Sequence, residues 1–187
     1  RPRCGRHPGR GLTLKRGVVM AGPAVMDSSA LIFAFRLPGI LQILKGAYSH
    51  ILIPNAVYDE VVVEGRRLGK EEVGAIQDEV GRFIRVERSD ESLPVEPDPR
   101  LGKGELEVIS LALKKGAEAI IDDRRARIFG ARLSVRIIPL ASLLVIACGD
   151  GTLKSEEAAA LLDDLVQAGY RLRSDTYIEV RKRLLAP

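Results

Sequence analysis

Short apolar runs alternate with longer stretches of helical periodicity along most of the chain. Five runs have the length of strands buried on both faces, and each ends as such strands do, at Asp, at Pro or in a polar loop. They cover residues 24–26, 51–53, 83–86, 119–121 and 135–138. Helical spacing of apolar residues lies between them, near 40–44, across 57–62 and 73–80, at 106–113 and at 126–133. This alternation predicts an α/β fold with a parallel sheet and right-handed crossovers.

Helical patterns alone follow Gly149. Ser155 is predicted to cap a helix that runs to Gly169, and Ser174 or Asp175 is predicted to cap a last one. We interpret these as a C-terminal helical pair, from about residue 153, that packs on the sheet and does not form a second domain.

The N-terminal segment differs in composition from the rest. Residues 1–22 are rich in Gly, Arg and Pro and show no apolar period, so we predict a flexible basic tail there and one domain over 23–187. The chain has a net charge of +4, and residues 1–26 hold six basic and no acidic residues, so the remainder carries −2. Contacts of the domain with nucleic acid must therefore rest on local patches.

The composition argues against several kinds of site. Two cysteines, Cys4 and Cys148, give no framework for disulfides or zinc. Two histidines, His7 and His50, make a histidine-rich metal site or a Ser-His-Asp triad hard to build. No apolar run reaches the length of a membrane span, and the N-terminus lacks the apolar stretch of a signal peptide. We therefore expect a soluble, cytoplasmic protein with no membrane partner.

Acidic residues directly follow two of the predicted strands. Asp27 comes after the first run, and Asp122, with Asp123 beside it, comes after the fourth. In doubly wound folds, ligands bind beyond the carboxyl ends of the strands, where the strand order reverses. A single Asp at a strand end more often only caps the next helix. Two strands that bring acids to one edge favour a functional site.

Two further acids fit the same edge. Glu60 follows the second strand one residue off an apolar stripe, and Glu105 opens a helix after a Gly-Lys-Gly sequence. Taken alone, Glu60 is better explained as solvated surface, and Glu105 as a first-turn acid that favours the helix dipole. With Asp27 and the Asp122-Asp123 pair they would supply four or five carboxylates. Such a self-repelling oxygen cluster suits Mg²⁺ or Mn²⁺, and two such ions support phosphodiester hydrolysis.

Three arginines follow the Asp pair at once: Arg124, Arg125 and Arg127. Guanidinium groups pair well with phosphate oxygens, so we consider these three as candidate RNA-binding residues. Each of them alone is better explained as part of a solvated helix face.

Four segments in this order resemble the PIN-domain family, which includes VapC-type toxins. Each is weakly specific alone, and the ordered combination is fairly specific; the segments are residues 25–32, 53–61, 101–105 and 120–127. The resemblance implies a three-layer fold with a five-stranded parallel sheet in the order 3-2-1-4-5. It also implies a metal-dependent ribonuclease that acts on RNA, a homodimer and, for a toxin, a small antitoxin partner.

The resemblance also implies roles for individual residues. It places Asp27, Glu60 and Glu105 in the acidic site and makes Ser29 a hydroxyl that supports the first metal. Asp122 or Asp123 is the fourth acid, and the metal ligands are drawn from Asp27, Glu105 and this pair. The chain departs from the common pattern, which more often has Asp at Glu105 and Thr-x-Asp at residues 121–123. Which Asp of the pair is the ligand therefore stays open.

Two other hypotheses compete with the nuclease: a non-catalytic binding module and, third in rank, a phosphoryl-transfer protein of another fold class. A PIN fold that keeps its acids but only binds RNA or protein would give the same pattern. Phosphatases that use an Asp nucleophile usually need a second Asp two residues on, where Ser29 stands, and a receiver domain needs adjacent acids; we rank these third.

The apolar residues between Leu31 and Leu44 are wider than one helix stripe, which favours a homodimer. Alternatively, the C-terminal helices cover this surface within the monomer.

Overall fold

The computed structural model describes residues 22–89 and 93–186. The predicted tail lies outside this part except for Gly22, whose carbonyl accepts a hydrogen bond from the Ser49 N–H at 3.2 Å. The elements follow in chain order: β1 (Ala24–Met26), α1 (Ser28–Arg36), α2 (Pro38–Ala47), β2 (Ile51–Pro54), α3 (Asn55–Tyr58), a π-helix (Asp59–Glu64), α4 (Gly65–Arg67), α5 (Val73–Glu79), β3 (Ile84–Glu87), α6 (Lys103–Lys115), β4 (Glu118–Ile120), α7 (Arg124–Arg132), β5 (Ile137–Ile138), α8 (Leu140–Gly149), α9 (Ser155–Gln167) and α10 (Ser174–Leu185).

The strands form one parallel sheet in the order β3-β2-β1-β4-β5, flanked by helices. This confirms the predicted fold class and strand order. From β1 the chain adds β2 and β3 on one side, then returns to add β4 and β5 on the other. The strand order therefore reverses between β1 and β4, and the carboxyl ends of these two strands flank the crevice that this fold class uses for ligands.

The burial of the strands follows their position in the sheet. β1 and β2 are buried along their whole length, because helices cover the sheet on both sides. β3 is an edge strand, and only Ile84 of its four residues is buried while Arg85 is exposed. The expectation that all five runs are buried on both faces is therefore wrong for β3 and for the other edge strand, β5, in which only Ile138 is buried.

A helix that the sequence analysis did not assign, α8, separates the sheet from the C-terminal pair. Its sequence is almost wholly apolar, and a helix that is covered on most sides shows no single apolar stripe from which it could be recognised. The pair formed by α9 and α10 packs mainly against α8, and so reaches the sheet through this helix. None of the described helices alone is long and apolar enough to span a membrane; α1 and α2, bent by 114°, pass that test only as a pair.

The predicted caps of the last two helices lie too late in the chain, by one residue for Ser155 and Ser174 and by two for the alternative Asp175. Lys154 and Arg173 hold the N-cap positions, and Ser155 and Ser174 are the first helical residues. In α9 the reason is that the Glu157 carboxylate accepts the Lys154 backbone N–H at 3.2 Å, so the third helical residue closes this end.

Candidate active site

Asp27 joins the sheet to the first helix. Its backbone N–H donates to the Ile120 carbonyl at 3.2 Å, which ties the ends of β1 and β4 together. Its carboxylate caps α1 by accepting the Ala30 N–H at 2.7 Å, and the residue is only 9% exposed. The capping role that the sequence suggested is therefore real, and it fixes the carboxylate at the point where the strand order reverses.

The surroundings of Asp27 destabilise its charged form. Burial raises the pKa of this carboxyl to about 7, the Ala30 N–H opposes the rise, and the carboxylates of Asp122, Glu105 and Glu60 add to it. The four predicted acids thus act on one another at a single edge of the sheet. We call these four residues the acidic edge.

Glu60 reaches this edge from the π-helix that follows α3. A π-helix holds one extra residue in a turn, and such turns occur frequently at functional sites. The Glu60 carboxylate accepts the hydroxyl hydrogen of Ser28 at 2.6 Å. Ser28 therefore holds Glu60, whereas Ser29, to which the resemblance gave a supporting role, is exposed in the first turn of α1, and its role stays a prediction.

Glu105 lies in the first turn of α6. Its carboxylate accepts the Gly102 N–H at 2.8 Å, so it also closes the start of its own helix. Burial raises the pKa of this carboxyl against the effect of that hydrogen bond, and the Asp123 carboxylate adds to the rise while Arg125 lowers it.

The two adjacent aspartates have different surroundings. Asp123 is the N-cap of α7, and its Oδ1 accepts the N–H groups of Arg125 at 2.6 Å and Ala126 at 2.9 Å. Asp122 Oδ1 accepts the Leu140 N–H at 2.8 Å and the Tyr170 hydroxyl, while Oδ2 is buried with no hydrogen-bond partner among the described residues. Burial raises the pKa of Asp122 against the effect of these hydrogen bonds. The geometry thus assigns the cap to Asp123 and leaves a carboxylate oxygen of Asp122 available.

Two residues near this edge were missed by the sequence analysis. Tyr170 lies in the polar link between α9 and α10, where no periodicity marks a buried residue. Glu107 is a buried acid whose Oε2 accepts the Ala56 N–H at 3.3 Å. It supplies the cap that Pro54 lacks at the start of α3, and so supports the segment that carries Glu60. A single Glu within an apolar helix face is its only signal in the sequence.

The three candidate arginines are exposed in the first turns of α7. Arg125 lowers the pKa of Glu105, and Arg127 lowers that of Asp122, which places both positive charges beside the acidic edge. This arrangement could hold a phosphate next to the carboxylates.

The donors at the acidic edge fit a hard divalent cation in kind, because they are all carboxylate oxygens and one of them, on Asp122, is buried without a partner among the described residues. As the side chains stand, no three Asp, Glu, His or Cys residues of the described chain form a group that would hold an ion. The acidic edge therefore offers the carboxylate oxygens that a metal site requires, but as the side chains stand they do not form a complete set of ligands.

Comparison with known proteins identifies the family. A family model described as a PIN domain, DUF3368, matches residues 23–185. Among solved structures, the chain is similar to a PilT N-terminus domain protein from the hyperthermophilic archaeon Sulfolobus solfataricus, with 23% identity and a TM-score of 0.49 over 67% of this chain and 92% of that chain. No curated protein matches. Because the family model covers nearly the whole described chain, the protein belongs to the PIN-domain family, whose members are generally nucleases that use divalent metals.

Proposed function

We propose that the protein is a ribonuclease that hydrolyses RNA phosphodiester bonds at the acidic edge with Mg²⁺ or Mn²⁺. The observation that carries the proposal is the burial of Asp27 among three other carboxylates, which raises its pKa to about 7. A bound divalent cation would offset the repulsion within this cluster and favour the charged form of Asp27 at neutral pH. The partnerless Oδ2 of Asp122 supports the same conclusion.

The surroundings of each residue suggest its role in the proposed reaction. Asp27, Glu105 and Asp122 would hold the metal, and Glu60 with its Ser28 partner completes the acidic edge. A bound divalent ion supplies an activated water and neutralises charge at the phosphate. Asp123 keeps the start of α7 in place, and the arginines of that helix hold the RNA phosphates beside the carboxylates.

The first prediction is that the purified chain cuts RNA when Mn²⁺ or Mg²⁺ is added and stops when the metal is chelated. The assay follows a labelled single-stranded RNA on a denaturing gel, with an inactive Asp27→Asn variant prepared in parallel to exclude a contaminating nuclease. RNA that is bound but never cut, in either metal, would favour the non-catalytic binding module.

If the protein is the toxin of a toxin–antitoxin pair, its expression in cells without the antitoxin should arrest growth, and expression of the Asp27→Asn variant should not.

The second prediction is that the protein forms a homodimer. We propose that the two subunits pair through a surface other than the apolar residues between Leu31 and Leu44 that the sequence suggested. Leu31 of α1 is fully buried in the core, and Ile32, Phe33 and Phe35 are partly buried against it. Phe33 also contacts Tyr170. In contrast, Val63, in the same π-helix as Glu60, is 52% exposed, and Leu68, at the end of α4, is 59% exposed. Pairing there would join two acidic edges into a longer groove for RNA. Light scattering at micromolar concentration tests the dimer, and a monomer mass in moderate salt would end the claim.

A further inference from the structure

The C-terminal helical pair contributes a side chain to the acidic edge, and local backbone geometry explains how. Helix α9 ends at Gln167, its C-cap is Ala168, and the next residue, Gly169, has a positive φ of +96°. The Gly169 N–H donates to the Val166 carbonyl at 3.0 Å, and the Tyr170 N–H donates to the Leu165 carbonyl at 3.1 Å. This pair of bonds is a Schellman motif, and glycine is the residue that its turn favours. The turn sends Tyr170 into the protein between exposed neighbours, where it is only 6% exposed.

Both the ring and the hydroxyl of Tyr170 contact other side chains. The ring meets Phe33 of α1 edge to face, with the centroids 5.3 Å apart and the planes at 89°. The hydroxyl donates to Asp122 Oδ1. Tyr170 therefore links the first helix after β1 to the acid that follows β4.

The hydrogen bonds of Asp122 are divided unequally between its two oxygens. Oδ1 accepts from the Leu140 N–H and from the Tyr170 hydroxyl, which uses both of its lone pairs. Oδ2 is buried and has no partner in the described chain. A buried acceptor left without a partner is rare, and it calls for a ligand or a function that keeps it.

We propose that Tyr170 is a positioning residue that locks Asp122 so that Oδ2 is directed to the divalent ion of the acidic edge. The inference rests on the proposed function, because it assumes that a metal binds there. Carboxylate ligands of metals are commonly oriented by hydrogen bonds to other groups, and losing such a partner typically weakens metal binding about 10–100-fold. In this protein the orienting hydroxyl comes from the C-terminal helical pair.

The test compares Mn²⁺ binding by calorimetry in three proteins: wild type, Tyr170→Phe and Tyr48→Phe. Tyr48 is the matched control, because it is another buried tyrosine whose hydroxyl donates to a carboxylate, that of Glu118 at 3.0 Å. Glu118 lies at the amino end of β4, away from the acidic edge. We expect the Kd for Mn²⁺ to rise at least about 10-fold in Tyr170→Phe and to stay unchanged in Tyr48→Phe. Saturating Mn²⁺ should restore most of the RNA cleavage of Tyr170→Phe.

The outcomes separate this proposal from the proposed function. If wild type and Tyr170→Phe bind Mn²⁺ equally, the role of Tyr170 is overturned and the ribonuclease is not. Equal weakening in both tyrosine variants would also overturn it, since this would indicate a general loss of stability. A wild-type protein that binds no Mn²⁺ overturns both. If Tyr170→Phe fails to fold, Tyr170→Met replaces it, because it also removes the hydroxyl while its flexible apolar side chain can pack against Phe33; a Kd equal to that of wild type would then contradict the proposal.

Discussion

Replacement of Asp27 by Asn is expected to abolish metal-dependent RNA cleavage and, at the same time, to stabilise the metal-free protein. The amide oxygen of Asn can still accept the Ala30 N–H, so the cap of α1 is kept. What is lost is one negative charge buried beside Asp122, Glu105 and Glu60. The same charge that binds the cation therefore weakens the fold when the cation is absent.

The gain in stability should depend on pH in a defined direction. Folding raises the pKa of Asp27 from its ordinary value near 4 to about 7, so the folded state favours the protonated form. The stability of the wild type then falls as the pH rises from about 4 to about 7 and stays low above that. Since Asn is neutral at every pH, the variant should be on the order of 3–4 kcal/mol more stable at pH 8 and equal to wild type at pH 4.

Thermal melts in chelator at pH 4, 6 and 8 measure this effect. The Tm of Asp27→Asn should exceed that of wild type by on the order of 6–16 °C at pH 8. Asp163→Asn is the control of opposite sign, because hydrogen bonds from Tyr177 and Arg181 lower the pKa of that carboxyl. It should lose stability at pH 8. A difference in Tm between Asp27→Asn and wild type that does not change with pH would show that the charge of Asp27 is not the cause.

The neighbouring residues Asp122 and Asp123 should respond in opposite ways to the same substitution. Asp122→Asn is expected to lower RNA cleavage by more than about 100-fold, because it removes a charged oxygen donor from the acidic edge. Asp123→Asn should retain cleavage within a few-fold, because Asn is as good an N-cap as Asp. Asp123→Ala should cost about 1 kcal/mol of stability through the loss of the bonds to Arg125 and Ala126.

Cleavage rates at saturating Mn²⁺ together with urea melts distinguish these roles. The prediction requires that substitution of Asp122 lowers the cleavage rate and that Asp123→Ala lowers the free energy of unfolding. The reverse order, with Asp123→Asn inactive and Asp122→Asn active, would show that the second Asp is the metal ligand and that the geometry of the cap changes when metal binds.

The parallel sheet could be predicted from the sequence pattern, its strand order was implied by the family resemblance, and the structure confirms both. The pattern also predicts the strand-end acids as candidates, and their role stays a prediction. Strands buried on both faces leave continuous apolar runs, and Asp27 and Asp122 stand directly after two of them. Strand alternation with helices then brings those ends to one edge. Ser28 and Ser29, in contrast, are adjacent in a helix and differ only in the direction of their side chains. The sequence does not fix which hydroxyl meets Glu60.

Features that depend on packing could not be read from the sequence. Helix α8 has no stripe because it is covered on most sides, and Tyr170 is buried by a turn that ends the preceding helix. Whether Asp122 or Asp123 points to the acidic edge depends on the Leu140 N–H and the Tyr170 hydroxyl, which lie 18 and 48 residues away in the chain. Contacts of this range leave no periodic signal.

The π-helix at Asp59–Glu64 makes the position of Glu60 unusually sensitive to chain length. Its wide turn accommodates one residue more than an α-helix would. Removing a single residue from this turn would allow it to relax into a regular α-helix, in which each position is rotated by about 100° from the next. Glu60 or the segment beyond it would then face a different direction. In this part of the chain, insertions and deletions should therefore be tolerated far less than substitutions of exposed residues such as Val63.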